Sequence, residues 1–86
     1  MILEYQAGAQ TTLYHIDCYR LKSEAEARAV GLEDYFYSGA YCFVEWAELI
    51  PSLLPENYVQ VNITPEDDTH RTIEFSIHGR KEKDRV

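Results

Sequence analysis

The stretch over residues 40–46 reads Ala-Tyr-Cys-Phe-Val-Glu-Trp and is apolar on both faces until Glu45. An uninterrupted apolar run of this length is typical of a strand covered on both sides, the pattern of a central strand in an α/β sheet. Ligands of open α/β sheets bind beyond the carboxyl ends of the strands, where Glu45 would stand. The alternative is a surface glutamate at the point where a strand emerges into solvent.

The segments on either side predict further strands and short helices. Period-two alternation favours strands, and Ser23 with Glu26 forms a capping box that begins a helix. The predicted strands are 2–6 and 12–19, as a hairpin, and 58–64 and 72–78, as an antiparallel pair; the predicted helical segments are 24–30, 32–37 and, interrupted by Pro51, 47–54. The same alternation predicts an inward-facing apolar set in the second hairpin, made of Val59, Val61, Ile63, Ile73, Phe75 and Ile77.

These elements define a mixed α/β fold class with few short helices and a C-terminal antiparallel hairpin. The chain of 86 residues is long enough for one small core, so we predict a single domain over residues 1–80 and a charged tail over 81–86. The formal net charge of −7 argues against direct DNA or other nucleic-acid binding through a basic patch. No apolar run approaches the ~18 residues that a membrane helix needs. Cys18 and Cys42 are predicted to be reduced core thiols rather than a disulfide.

A second candidate group lies in residues 15–20, which read His-Ile-Asp-Cys-Tyr-Arg. Asp17 ends a predicted strand and could present a second carboxylate to the same crevice as Glu45. His15 shares a face with Asp17, so a metal pair is one interpretation and a hydrogen-bonded, partly buried histidine is the other. A zinc site would need three or four convergent ligands, which the spacing of the remaining histidines does not offer.

The 86 residues contain no phosphate-binding loop. That loop needs the pattern Gly-x4-Gly-Lys-Ser/Thr, and none of the four glycines begins it. An acid such as Glu45 can hold Mg²⁺ through water and orient an attacking water in nucleotide hydrolysis. The backbone cradle for the phosphates is absent from these residues, so we predict that the chain alone is inactive and does not bind ATP.

Four segments, in order and at fitting separations, resemble the TsaE family of bacterial tRNA threonylcarbamoyladenosine (t6A) biosynthesis. Residues 15–20 are similar to its His-x-Asp-x-Tyr-Arg motif, and residues 31–36 to its Gly-Leu-Glu-Glu-Tyr segment. Residues 44–48, Val-Glu-Trp-Ala-Glu, resemble its Walker-B-like Glu-Trp-Pro-Glu, with alanine in place of the usual proline, and residues 53–55 also fit. The resemblance covers about residues 3 to 80 and only the C-terminal part of the family's domain, whose Walker A segment would precede Met1.

The resemblance implies a P-loop NTPase fold, a cytoplasmic protein, ATP and Mg²⁺ as cofactors, and assembly with the proteins TsaD and TsaB. By position, it implies that Glu45 is the acid near Mg²⁺ and the catalytic water, and that Asp17 is a second acid at the metal or water. Trp46 would lie near the nucleotide. Further candidates around the site are Tyr19, Arg20 and Glu48.

Three functional hypotheses follow. The leading one is an ATPase subunit fragment of t6A modification that supplies the acidic half of a site and a partner-facing surface. The alternative is a non-catalytic protein-interaction module derived from the same fold. A third is a stand-alone metal-dependent hydrolase that uses Asp17 and Glu45. Because part of the expected cover of strand 40–46 would precede Met1, we also predict self-association through this strand.

Overall fold

The computed structural model describes residues 1–79, which fall into two compact units, Met1–Pro55 and the part that begins at Glu56. The first unit holds β1 (Ile2–Gln6), β2 (Thr12–Asp17), α1 (Glu24–Ala29), α2 (Leu32–Phe36), β3 (Tyr41–Glu45) and two 3₁₀ segments, Ala47–Leu49 and Pro51–Leu53; the second holds β4 (Tyr58–Pro65) and β5 (Arg71–His78). The mixed α/β class with a C-terminal antiparallel hairpin is confirmed. The predicted charged tail, 81–86, lies outside the described residues, and the single domain over 1–80 stays a prediction.

The first unit contains a mixed three-stranded sheet in the order β1-β2-β3. Strands β1 and β2 form the predicted antiparallel hairpin, with Ile2 opposite Ile16. Strands β2 and β3 are parallel, with Asp17 opposite Glu45. A parallel pair needs a long crossover connection, and α1 and α2 supply it.

One face of this sheet carries the core. The fully buried side chains come from β2 and the residue after it, both helices and the 3₁₀ region: Ile16, Cys18, Ala27, Leu32, Ile50 and Leu53. Val44 of β3 packs against this cluster, and the Cys42 thiol donates to the carbonyl of Tyr35 at 3.3 Å. The helices therefore cover the sheet face to which Ile16, Cys42 and Val44 point.

Helix α1 begins where the sequence predicts. The Ser23 hydroxyl oxygen accepts from the Glu26 N–H at 3.1 Å, which satisfies one of the unpaired donors of the first turn. The Glu26 carboxylate accepts from the N–H of Lys22 at 2.9 Å, not from that of Ser23, so the capping box is shifted by one residue on its return side. Gly31, with φ of 80°, follows the helix in the left-handed conformation that glycine adopts without strain.

Within the described residues, strand 40–46 is covered on one face only: the sequence pattern of a strand buried on both sides is not realised here, and the exposed face is the one through which we predict self-association. Strand β3 lies at the edge of the sheet, and the side chains of Tyr41 and Phe43 are 67% and 60% exposed. An apolar run shows that both faces are hydrophobic, but it does not show that each face has a partner. Cys42 and Val44 face the core, while the opposite face of the strand is open.

The second hairpin has the predicted antiparallel pairing but not the predicted burial. Val59 faces Ile77, Val61 faces Phe75 and Ile63 faces Ile73 across the strands. All six of these side chains are more than half exposed, with Ile77 at 82%, so the prediction that they face inward is wrong. Alternation determines which side chains share a face of a ribbon, and burial depends on whether anything covers that face.

Within residues 1–79, no helix combines the length and the apolar character that a membrane crossing requires.

Candidate functional site

Two acids meet at the carboxyl ends of neighbouring parallel strands. Asp17 is the last residue of β2, Glu45 is the last residue of β3, and the two are directly paired in the register. The N–H of Cys18 donates to the carbonyl of Glu45 at 3.0 Å, which extends the pairing one residue past the strand ends. Because directly paired residues share a sheet face, the backbone presents both carboxylates on the same side of one edge.

Each carboxylate has one oxygen held in place by a hydrogen bond. Asp17 Oδ1 accepts from the Tyr19 N–H at 3.0 Å, a local turn that follows β2. Glu45 Oε1 lies 2.6 Å from Nε2 of His15, and the two side chains are 56% and 37% exposed, respectively. Among the described residues, the second oxygen of each carboxylate has no hydrogen-bond partner, so both retain capacity to accept from water or to bind a cation.

Glu45 bends back over the sheet. In the register, Glu45 pairs with Asp17 and Phe43 pairs with His15. The Glu45 side chain therefore points back along the sheet by two residues to reach His15 on β2. The carboxylate therefore lies over the open face of the sheet, the face that also carries Tyr41 and Phe43. Of the two interpretations of His15, the structure supports a half-buried, hydrogen-bonded histidine, and its partner is Glu45 rather than Asp17.

Two aromatic rings stand beside the acids. Trp46 follows Glu45 with φ of 60°, the only positive φ among the non-glycine residues in 1–79. A left-handed residue turns the chain sharply at the strand end and is uncommon for a large side chain. Its indole ring lies 5.0 Å from the ring of Tyr19, centroid to centroid, at an interplanar angle of 48°. Both rings are about half exposed and form an aromatic surface at the ends of β2 and β3.

Two predicted site residues are not brought into contact with the acids. Arg20 lies in the exposed turn after β2, and Glu48 lies exposed in the first 3₁₀ segment. In the part of the chain that the structure describes, neither side chain forms a hydrogen bond or an ion pair. The structure therefore gives no geometric support to a role for Arg20 or Glu48, and their assignment stays a prediction.

The donor set at the strand ends is suited to a hard cation that keeps part of its water shell. Mg²⁺ is bound through one or two carboxylates together with waters and phosphate oxygens, and Asp17 with Glu45 supplies two carboxylates. Over residues 1–79, no group of three or more His, Cys, Asp or Glu side chains is placed to hold a metal ion by itself. Asp17 and Glu45 are therefore of the chemical type that would hold a magnesium ion together with water molecules.

The two cysteines are free thiols, as predicted. Cys18 is fully buried and Cys42 is partly buried. Burial raises the pKa of both thiols, because the desolvated thiolate is disfavoured. A raised pKa lowers the thiolate fraction at neutral pH, so neither residue has the environment of a nucleophilic cysteine.

Sequence reasoning missed two contacts at this site, the one between His15 and Glu45 and the one between Tyr19 and Trp46. Both join residues after or within β2 to residues at the end of β3. The motif spacing cannot show them, because they depend on the parallel register of the two strands. The sequence did predict that Asp17 and Glu45 lie at the same edge of the sheet. Residues close to Asp17 in the sequence, such as His15 and Tyr19, should then lie close to Glu45 and Trp46, and this reasoning could have found both contacts.

The parallel pair of β2 and β3, joined through two helices and ending in two acids, is typical of an α/β domain. The family model described as "Threonylcarbamoyl adenosine biosynthesis protein TsaE" matches residues 1–73. The chain belongs to the TsaE family.

Relatives of known name and structure agree with this assignment. The Bacillus subtilis tRNA threonylcarbamoyladenosine biosynthesis protein TsaE is 40% identical over 81 residues, which is 94% of this chain and 49% of the relative. The Haemophilus influenzae protein of the same name is 38% identical, over 87% of this chain and 46% of the relative. The crystal structure of Bacillus subtilis YdiB superposes with a TM-score of 0.68 and 36% identity, over 90% of this chain and 45% of that chain. The chain thus spans about half the length of the curated relatives it matches.

Proposed function

We propose that this chain supplies the acidic side of an ATPase site in a protein of tRNA t6A biosynthesis. The observation that carries the proposal is the direct pairing of Asp17 with Glu45 at the carboxyl ends of parallel strands. Membership of the TsaE family supports it, since the matched relatives are named for t6A biosynthesis. The proposal includes ATP and Mg²⁺ as cofactors, a cytoplasmic location, and TsaD and TsaB as partner proteins.

In this proposal the two acids have distinct tasks. The unpaired oxygen of Glu45 accepts a hydrogen bond from the attacking water and orients it, and the same carboxylate lies near the cation. Asp17 binds the cation or its waters from the neighbouring strand. A Mg²⁺ ion held by Asp17 and Glu45 would supply positive charge that stabilises the phosphates during phosphoryl transfer. The exposed rings of Trp46 and Tyr19 offer a stacking surface near the nucleotide.

A second candidate function is a non-catalytic interaction module. The open face of β3 favours it, because Tyr41 and Phe43 are exposed apolar side chains on an edge strand. Exposed apolar surface of this kind is typical of protein–protein contact sites. This candidate predicts binding to a partner protein with no dependence on the acids.

The test uses a chimera in which this chain replaces the matching half of the Bacillus subtilis relative. We measure Mg²⁺-dependent ATP hydrolysis, with the partner proteins present, for the parent, Glu45→Gln and Asp17→Asn, alongside thermal melting. A matched control is Glu74→Gln, which makes the same change in the second unit. Loss of transition-state stabilisation at Glu45 or Asp17 should lower the rate about 100-fold or more. The melting temperature should stay within a few degrees of the parent.

Two results would overturn the ATPase proposal. If both acid variants hydrolyse ATP at the parental rate, the assigned acids are not part of the site. If both melt far below the parent, the acids are structural. If the parent itself hydrolyses no ATP, and the parent and both variants bind the partner proteins equally well, the interaction module is supported instead.

The 86-residue chain alone provides a further arm. Asp17, Glu45 and the phosphates are all negative, and these residues contain no phosphate-binding loop. We expect no saturable change in Trp46 fluorescence when Mg-ATP is titrated to micromolar concentrations. Saturable quenching in that range would show that the chain binds nucleotide without the loop.

A further inference from the structure

The shortest side-chain contact at the candidate site joins a histidine to the proposed catalytic acid. His15 Nε2 lies 2.6 Å from Glu45 Oε1, although the two residues are 30 positions apart in the sequence. At 2.6 Å the contact is slightly shorter than the ~2.7–2.9 Å typical of a charge-assisted hydrogen bond between nitrogen and a carboxylate. For this contact to be a hydrogen bond, the proton must be on Nε2, because an ionised carboxylate can only accept.

We propose that His15 is a positioning residue for Glu45. A half-exposed glutamate side chain samples several rotamers, and a hydrogen bond to Oε1 favours the rotamer that makes it. With Oε1 held, the direction of Oε2 is set relative to the strand end. A general requirement of efficient sites is that the reacting group is held by neighbours of its own, within a fraction of an ångström. This inference rests on the proposed function, because it gives His15 a role only if Glu45 acts on water or the cation.

The position of His15 on the sheet suits this task. It lies in the middle of β2, which is paired on both sides, with Leu3 of β1 and Phe43 of β3. A residue on a strand paired on both sides has a fixed backbone, so its ring is a firmer anchor than a loop residue would be. His15 is also partly buried, whereas the Glu45 carboxylate is the more exposed member of the pair.

A second histidine in the same chain offers an internal comparison. His70 uses the other ring nitrogen, Nδ1, to contact Asp67 Oδ1 at 2.9 Å in the turn between β4 and β5. Because the two contacts use different nitrogens, neutral His15 should carry its proton on Nε2 and neutral His70 on Nδ1. Nitrogen-15 NMR of the two imidazoles distinguishes these tautomers directly in the 86-residue chain.

The first experiment therefore records the ring nitrogen shifts of His15 and His70 in the 86-residue chain and in its Glu45→Ala variant. We expect a protonated Nε2 on His15, and we expect the variant to shift the nitrogen signals of His15 but not those of His70. An unprotonated Nε2 on His15, or His15 signals that do not respond to Glu45→Ala, would overturn the proposal without reference to any activity.

The second experiment measures ATP hydrolysis in the chimera for His15→Leu and His15→Gln. Glutamine can place an amide N–H near the position of Nε2, whereas leucine cannot donate. We expect His15→Leu to lower kcat about 10- to 100-fold, the usual effect of removing a residue that orients a site ligand, with little change in KM for ATP. His15→Gln should restore most of the rate.

The outcomes separate this inference from the proposed function. If His15→Leu is fully active while Glu45→Gln is inactive, His15 does not position the acid and the ATPase proposal stands. If Glu45→Gln is itself fully active, the ATPase proposal and this inference both fail. If His15→Leu and His15→Gln lose the same activity, the hydrogen bond is not what matters and the inference fails.

Discussion

Glu24 of α1 and Ser52 of the second 3₁₀ segment are joined by a short hydrogen bond. The carboxylate Oε2 of Glu24 accepts from the Ser52 N–H at 2.7 Å, and Arg28 of the same helix donates to the Ser52 hydroxyl at 3.1 Å. Helix α1 therefore holds the 3₁₀ segment that contributes the buried Leu53 to the core. Because the ionised carboxylate is the better acceptor, the hydrogen bonds from Ser52 lower the pKa of Glu24.

The first prediction concerns acid stability. A carboxyl group whose pKa is lowered on folding stabilises the fold above its ordinary pKa, and the effect is lost as the pH falls through the folded value. The free energy of unfolding of the parent should therefore decline more steeply than that of Glu24→Gln between about pH 5 and pH 3. Urea titrations at a series of pH values measure it. The control Glu74→Gln should follow the parent, and equal slopes for all three proteins would contradict the prediction.

The second prediction compares the effect of the same substitution, isoleucine to valine, in the buried core and on the exposed apolar face of the β4–β5 hairpin. Ile16 is buried and Ile63 is 62% exposed. Removing a methylene from a packed core costs about 0.5–1.5 kcal/mol, because a small cavity remains. Ile16→Val should lose this amount in urea unfolding, and Ile63→Val should change by less than about 0.5 kcal/mol, the usual range for surface changes. A larger loss of unfolding free energy for Ile63→Val would contradict the exposure of this side chain.

The third prediction concerns the thiols. Cys18 is fully buried and Cys42 partly so, and burial raises the pKa of each. The thiolate is the reactive form, so iodoacetamide should modify both residues slowly at pH 7.5, and Cys18 more slowly than Cys42. Mass spectrometry of digested samples follows each site separately. Both should react rapidly in urea. Native labelling of Cys18 at the rate seen in urea would contradict its burial.

The fourth prediction is self-association through β3. This edge strand carries the exposed rings of Tyr41 and Phe43, and an apolar unpaired edge favours pairing with another chain. Sedimentation at high micromolar concentration should show dimers or larger species, and Phe43→Lys should shift the chain toward monomer. Tyr37→Lys is the matched control, because Tyr37 is an exposed aromatic residue beyond α2. A monomeric parent, or an equal effect of both variants, would contradict the role of β3.

Local features of the fold were predictable because they depend on neighbours in the sequence. Ser23 and Gly31 mark the two ends of α1 through backbone donors and a positive φ that lie within a few residues. The position of Glu45 at the end of β3 follows from the end of an apolar run. In each case the physical cause lies within a few residues along the chain, so the local sequence is enough to predict the feature.

Features that depend on distant partners were not predictable in the same way. The apolar run over 40–46 does not show which of its two faces is covered, and the exposed side chain of Phe43 identifies the open one only in the assembled sheet. The contact between His15 and Glu45 requires the parallel register, which only the assembled sheet shows. The left-handed Trp46 is a residue type that rarely adopts this conformation, so no propensity would have indicated it.

The parallel pairing of β2 with β3 also has a consequence for the order of folding. The β4–β5 hairpin closes across a turn of a few residues, a step that takes about 1–10 μs in typical hairpins. Joining His15 to Glu45 instead closes a loop of 30 residues. The chain loses the conformational entropy of this loop before the contact can form and stabilise the fold. We expect substitutions in β4 or β5 to change the folding rate, and substitutions at His15 or Glu45 to leave the folding rate unchanged. Asp17 and Glu45 would then lie side by side only in the completely folded chain. A partly folded chain would contain the β4–β5 hairpin without this pair of acids.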